Sequence, residues 1–251
     1  MAGERAYRSS RAFVVRSADV GETDRRLTLF TEVAGLVGVV AKSAHRSRKR
    51  FGGALQKYLL LDAAWTEPAG KPPILTSATI LESFWPIVED WEKVRHADHL
   101  LELSAALFPQ PGPKPKEFAF LLAGIRSLAA GERPPAVGRK TEAAYLALSG
   151  WGPDLSACRV CGKPGSGVFR FLIPEGTIRC GTCPGPGGRM LSHGAVRTWR
   201  ALQASTPSNI GRIRISESIL TELQILIAQY LEWNFGGPLR SLDRDPEGRK
   251  P

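Results

Sequence analysis

The sequence predicts an α+β fold: a small five-stranded antiparallel barrel or sandwich, with an OB-fold as one candidate, then α-helices interrupted by a four-cysteine zinc module. Three observations carry this. Up to about residue 85 the apolar residues fall in short, turn-bounded runs. After that the apolar spacing becomes helical. All four cysteines of the chain fall into two C-x-x-C pairs, Cys158/Cys161 and Cys180/Cys183.

Ala12–Arg16 is apolar and β-branched, and 19–24 (DVGETD) is a polar turn. Leu27–Thr31 follows, then Gly35 breaks the chain before Leu36–Ala41. A basic stretch ending in Gly52-Gly53 leads to Tyr58–Trp65. Pro68, Gly70, Pro72 and Pro73 separate that run from Ile74–Leu81. With no helical period among them, these five runs suit a small closed or two-layered sheet.

Helices follow. Val94, Ala97, Leu101, Ala105 and Phe108 recur at helical spacing until 109–113 (PQPGP) stops them. Glu117–Ala130 and Thr141–Ser149 read as two more, and His193–Gln203 as a fourth. In Ser216–Phe235 the stripe Ile219, Leu223, Ile227, Tyr230 predicts a last helix, with Ser216 as N-cap and 236–238 (GGP) as its stop. The expected organisation is a disordered tail 1–10, a barrel 11–85, a helical domain 86–155 and 191–242 around a zinc finger 156–190, and a disordered tail 243–251. Helices from both sides of the insertion are expected to form one bundle, with the zinc module projecting from it.

Two C-x-x-C turns complete a tetrahedral S4 set that suits Zn²⁺ and leaves no open ligand position, so Cys158, Cys161, Cys180 and Cys183 read as a structural site. A redox C-x-x-C needs a single pair opening a helix, which is not the pattern here. Between the pairs, Val168–Ile173 reads as a ribbon strand; Phe169 and Phe171 are expected in its core, with base stacking as the lesser alternative. His193 is a spare imidazole beside a filled site. His96 and His99 read as part of a solvated helix face.

The net charge is +10, unevenly placed. Residues 1–60 carry 12 Lys+Arg against 5 Asp+Glu, residues 61–150 carry 9 against 11, and residues 151–251 carry 13 against 8. A basic head suggests a polyanion-binding face. Its densest part is 42–50, where Lys42, Arg46, Arg48, Lys49 and Arg50 accompany His45. The stretch joins two strands of a barrel, where OB-fold loops grip single strands. Arg25 and Arg26 follow another barrel turn and are expected to extend the same face. Phe51 and Tyr58 are the nearest stacking aromatics, so backbone grip without base readout is expected.

No catalytic motif stands out. Gly70-Lys71 and Gly162-Lys163 each precede Pro, where a P-loop needs Ser or Thr. Neither G-x-S-x-G, H-E-x-x-H nor G-x-G-x-x-G occurs. The composition is that of a globular protein, with no apolar run near the ~20 residues of a membrane span and no apolar segment behind the charged start, so a cytoplasmic protein is expected. A binding protein is favoured over an enzyme; the alternatives are a zinc-containing nucleic-acid-modifying enzyme such as a nuclease, and a ribosome- or RNA-binding zinc-ribbon protein.

Several stretches resemble the RecO family of bacterial DNA-repair proteins: 12–16 (AFVVR), 21–24 (GETD), 29–31 (LFT), 35–42 (GLVGVVAK) and 50–56 (RFGGALQ). The cysteine pairs resemble its zinc-bearing members, and 230–233 (YLEW) with 238–241 (PLRS) resembles its closing helix and ending. The resemblance implies an N-terminal OB-fold, a central helical domain and a zinc finger. It implies a recombination mediator of the RecFOR pathway, nucleoid-associated, that binds single- and double-stranded DNA, anneals complementary strands and helps load RecA onto strands coated by single-strand-binding protein. The implied partners are RecR, the acidic C-terminal tail of single-strand-binding protein, and RecA. Lys42 and Arg46 fall where the family's DNA-contacting residues lie. Ser43 departs from the pattern, because many members carry Gly there.

Overall fold

The computed structural model describes residues 6–164 and 167–239, which form two compact units, one ending at Ala129 and the other beginning at Ala130. The sequence-expected tail ends, 1–5 and 243–251, lie outside the described residues, as do Arg240 and Ser241 of the closing motif.

The first unit is built on a closed barrel. Its strands are β1 (Ala6–Val20), β2 (Asp24–Thr31), β3 (Gly35–Ala41), β4 (Leu59–Glu67) and β5 (Ile74–Ser83), in the order β1-β2-β3-β5-β4. β4 returns to pair antiparallel with β1, and β3 meets β5 in parallel at Val40 and Ile74. This is the five-stranded OB arrangement. The expected tail was too long by half: residues 6–10 belong to β1, with Ser10 opposite Ala63 and Tyr7 opposite Thr66. A closed barrel needs a partner for β4, and β1 supplies it by serving two neighbours. Its register shifts between Val14 and Arg16, a bulge that bends the strand from β4 toward β2.

Alternation of side chains fills the interior with Val14, Leu27, Leu29, Val39, Leu61, Trp65 and Leu75. One end of the barrel is plugged by Phe51, Ala54 and Leu55. Phe51 ends the short helix α1 (Arg48–Phe51) within the expected basic loop. Outside the barrel, α2 (Trp85–Val88) precedes α3 (Trp91–Leu107) and α4 (Pro115–Ala129). Asp90 caps α3 by accepting from the backbone N–H groups of Glu92 and Lys93. Phe118 of α4 stacks on Phe30 and packs on Phe13, joining this helix pair to the outer wall of β1 and β2. His96 and His99 are buried, not solvated as expected. Their helix is covered on more than one face, and His96 Nδ1 lies 2.9 Å from the carbonyl of Glu92.

The second unit holds α5 (Pro134–Leu148), α6 (His193–Gln203) and α7 (Glu217–Phe235) around a four-stranded ribbon. The ribbon strands are β6 (Asp154–Cys158), β7 (Phe169–Leu172), β8 (Thr177–Cys180) and β9 (Arg189–Leu191), ordered β6-β8-β7-β9. α5 begins seven residues earlier than its apolar pattern suggested, because Pro134 and Pro135 open the helix at positions where no N–H is required. The helices therefore divide between the units: α3 and α4 belong with the barrel, α5 to α7 with the ribbon. Nor does the ribbon simply project. Phe171 is fully buried, with ring centroids 5.2 Å from Trp199 of α6 and 5.4 Å from Tyr230 of α7. Phe169 is buried as well, so neither ring is open to a base.

Candidate nucleic-acid interface and metal centre

The basic loop is shaped by its two ends. At its start, Ser43 takes a left-handed backbone, φ 52°, and its N–H donates to Asp24 Oδ1 at 2.7 Å. That bond is the main reason the Asp24 carboxyl titrates below the usual carboxylate range, with Lys42 adding a smaller effect. At its end, Phe51 inserts into the barrel and Gly52 and Gly53 turn the chain at φ 45° and 88°. Burying Phe51 fixes which way the preceding charges face: Lys42, Arg46 and Arg50 are all exposed.

The cations differ in what they do. Arg50 donates to Ser47 Oγ at 2.8 Å and to the carbonyl of Lys42 at 2.7 Å, and its guanidinium lies 4.9 Å over the Phe51 ring. It ties the loop closed. Arg25 sits 3.1 Å from Asp19 and donates to the carbonyl of Leu55 at 3.4 Å, so it holds the plug. His45 meets the same Asp19 at 3.1 Å. Arg25 and Arg26 were expected on one face, but neighbouring residues of a strand point oppositely. Arg25 is half-buried on the line of Leu27 and Leu29 at the barrel mouth, whereas Arg26 is exposed on the outer surface. Lys42 and Arg46 of the loop are also exposed to solvent. The side chains of Arg48 and Lys49 lie outside the described set.

Of the two aromatics nearest the loop, Tyr58 is half-buried and Phe51 fully so. Phe51 is buried in the plug, and the Tyr58 hydroxyl donates to Asp98 Oδ1 at 2.7 Å. Burial first and that bond second push the Tyr58 hydroxyl well above the ordinary phenol range. Sequence reasoning missed the anchoring roles of Asp19, Asp24 and Asp98. The first two appear only as turn acids, and Asp98 lies 40 residues from its partner in another element.

The four cysteines converge. Their sulfurs lie within 4.8 Å of one another, and Cys161 and Cys180 are 3.9 Å apart. A tetrahedral S4 site with ~2.3 Å metal–sulfur bonds has edges of about 3.8 Å, so the donor set fits one four-coordinate ion such as Zn²⁺. Backbone N–H groups also point at the sulfurs: Cys180 N–H donates to Cys158 Sγ at 3.3 Å and Val160 N–H at 3.4 Å. The Cys180 donor leads in drawing the Cys158 thiol down to about 6. Cys183 moves the other way, up to about 12, chiefly through Cys180. Four adjacent sulfurs resist ionising together, and a cation at their centre removes that conflict. His193 is not among the four; its ring stacks at 6.4 Å from Phe169.

Two family models match the chain: Recombination protein O N terminal over residues 6–84, and Recombination protein O C terminal over residues 88–243. Among curated relatives, a DNA repair protein RecO of Anaeromyxobacter sp. (strain K) is 37% identical over 172 residues, covering 68% of each chain. That of Thermobifida fusca (strain YX) is 31% identical over 244 residues, covering 91% of this chain and 94% of its own. That of Bifidobacterium adolescentis is 28% identical over 233 residues, covering 91% and 95%. Among the described residues, no helix is long and apolar enough to cross a membrane.

Proposed function

We propose, for a chain that belongs to the RecO family of DNA-repair proteins, that its barrel grips DNA strands by their phosphates and brings complementary strands together. The family's field is recombinational DNA repair. The finer reading is a recombination mediator that binds single- and double-stranded DNA, anneals strands and helps load RecA onto strands coated by single-strand-binding protein. RecR, the single-strand-binding-protein tail and RecA are its partners, and Zn²⁺ on Cys158, Cys161, Cys180 and Cys183 its structural metal.

The observation that supports this reading best is the division of labour in the loop. Arg50, Asp24 and the Phe51 plug hold the backbone, which leaves Lys42 and Arg46 extended to solvent. Annealing is then a physical process and needs no catalytic group. Cations between two strands offset the phosphate repulsion that opposes pairing, and release of counterions drives the binding. Lys42, Arg46, Arg48, Lys49, Arg50 and Arg26 supply the charge, while Arg25 supports the loop from below.

A strand-annealing assay in EDTA, without Mg²⁺ or nucleotide, tests the reading. Duplex formation faster than the protein-free rate is expected. Strand cleavage in a parallel reaction with Mg²⁺ in place of EDTA would instead make this a nuclease, and preference for ribosomal RNA over single-stranded DNA in a competition would make it an RNA-binding ribbon protein.

A further inference from the structure

Next to the basic loop lies an apolar groove that the phosphate grip does not use. It has a volume of about 600 Å³ and is bounded by Gln56, Lys57 and Tyr58 just before β4, Ile80 on β5, and Trp85 and Val88 on α2. Three of these apolar side chains are conspicuously open: Trp85 is 62% exposed, Val88 47% and Ile80 42%. The Trp85 indole N–H donates to Glu89 Oε1 at 2.9 Å, which sets the plane of the ring. The groove shares Gly53 and Gln56 with a smaller hollow of about 220 Å³ whose walls include Arg25, His45 and Ser47 of the basic loop. The two hollows therefore adjoin.

Charge decides what fits. Lys57, the groove's cation, is bonded to Asp98 at 2.8 Å, and that carboxylate also takes the Tyr58 hydroxyl. The groove is thus close to neutral, while the exposed Lys42 and Arg46 belong to the adjoining loop. Among the described residues, the groove itself offers an inserted carboxylate no lysine besides the Asp98-bound Lys57. A flat, uncharged ring joined to a phosphate outside the groove is what the pairing of surfaces accepts. Tyr58 is held at φ 60°, a costly conformation for an aromatic residue; it sits where β4 leaves the loop and sets the groove's inner wall.

We propose that this groove is a base-stacking site for single-stranded nucleic acid, with one base on the face of Trp85 and the Gln56 amide at its edge, and the strand's phosphates on the basic loop. The proposal rests on the loop reading above and adds a π-contact to it. Stacking on an aromatic ring is tolerant of base identity, as a mediator acting on any sequence requires.

The test compares labelled oligo-dT with an oligomer of abasic residues of equal length, across a salt series, for the full chain and three variants. Trp85→Ala is expected to weaken oligo-dT binding about 5- to 150-fold, the range for one stacked base, with the salt slope unchanged and abasic binding unaffected. Trp85→Phe restores most of the loss. Arg46→Glu lowers affinity for both oligomers and flattens the slope. If Trp85→Ala binds oligo-dT like the parent while Arg46→Glu is weakened, the stacking site is wrong and the loop grip stands. If Arg46→Glu is also unchanged, the loop reading falls and the inference with it. Equal loss on both oligomers, or a Trp85-dependent affinity for an acidic peptide with oligo-dT binding intact, overturns the stacking site as well.

Discussion

Asp24 Oδ1 accepts the backbone N–H of Ser43 at 2.7 Å, and Ser43 is held at φ 52°. One carboxylate thus secures a left-handed residue at the point where β3 gives way to the basic loop. Left-handed backbone costs an L-residue roughly 1–2 kcal/mol, and glycine escapes that cost at some loss of unfolded-chain economy. Ser43→Gly is therefore expected to be neutral or stabilising by up to about 1 kcal/mol, read by denaturant unfolding. It restores the residue that the family resemblance places there.

The same pair predicts a pH response. Asp24 is acidified by its bond to Ser43, so its contribution is complete above the ordinary carboxylate range near 3.9 and is lost as pH falls through its lower folded value. Protection of the Ser43 amide, its NMR exchange rate taken relative to the intrinsic rate at each pH, is expected to fall only at strongly acid pH. Asp24→Asn, which keeps an acceptor oxygen but cannot titrate, removes the acid step, whereas Asp24→Ala deletes the acceptor and loses the protection already at neutral pH.

Lys42 and Arg46 are expected to behave differently from Arg50. Each charge removed from a phosphate contact lowers the log-log salt slope on single strands by about 0.7, so Lys42→Ala and Arg46→Ala flatten the slope with unfolding unchanged. Arg50→Ala also lowers stability, because Ser47 Oγ and the Lys42 carbonyl lose their donor. A thermal melt beside a filter-binding salt titration separates the two classes.

Cys158→Ser removes one of four converging sulfurs, the one that accepts two backbone N–H bonds. Zinc content by emission spectrometry is expected to fall from about one ion per chain to near zero. The ribbon melts earlier, because metal binding at such a site is folding free energy. Oligonucleotide binding through the barrel loop survives in the full-length variant.

Much of this was legible in the sequence, for reasons that differ by region. The barrel strands were visible because short apolar runs alternate with glycine and proline turns; only their ends were misjudged. Ser9 and Ser10 look like tail, yet they pair with β4 because a closed barrel needs them. The cysteine cluster was visible because its members come as local pairs. The division of the helices was not, since an apolar stripe says that a helix is covered but not by what. Phe51 looked like a stacking ring because it follows five cations; its neighbours Ala54 and Leu55 draw it into the barrel instead. Trp85 escaped notice as a stacking candidate because 35 residues separate it from Arg50, and only the fold brings its groove beside the loop.

The junction of ribbon and α7 gives the sharpest packing test. Gly176 turns the chain between β7 and β8 at φ 59°, and a Cβ there would lie 2.5 Å from the Tyr230 hydroxyl. That hydroxyl cannot simply retreat, because it donates to the carbonyl of Trp151 at 2.9 Å. Gly176→Ala therefore carries two costs, left-handed strain of roughly 1–2 kcal/mol and displacement of the tyrosine. Tyr230→Phe alone loses one hydrogen bond, about 1 kcal/mol, and removes the clashing atom. In the double variant the strain persists but the clash does not, so the two changes are expected to be less than additive by about 0.5–3 kcal/mol. Additive losses in a denaturant-unfolding cycle would show that the turn yields without pressing on Tyr230.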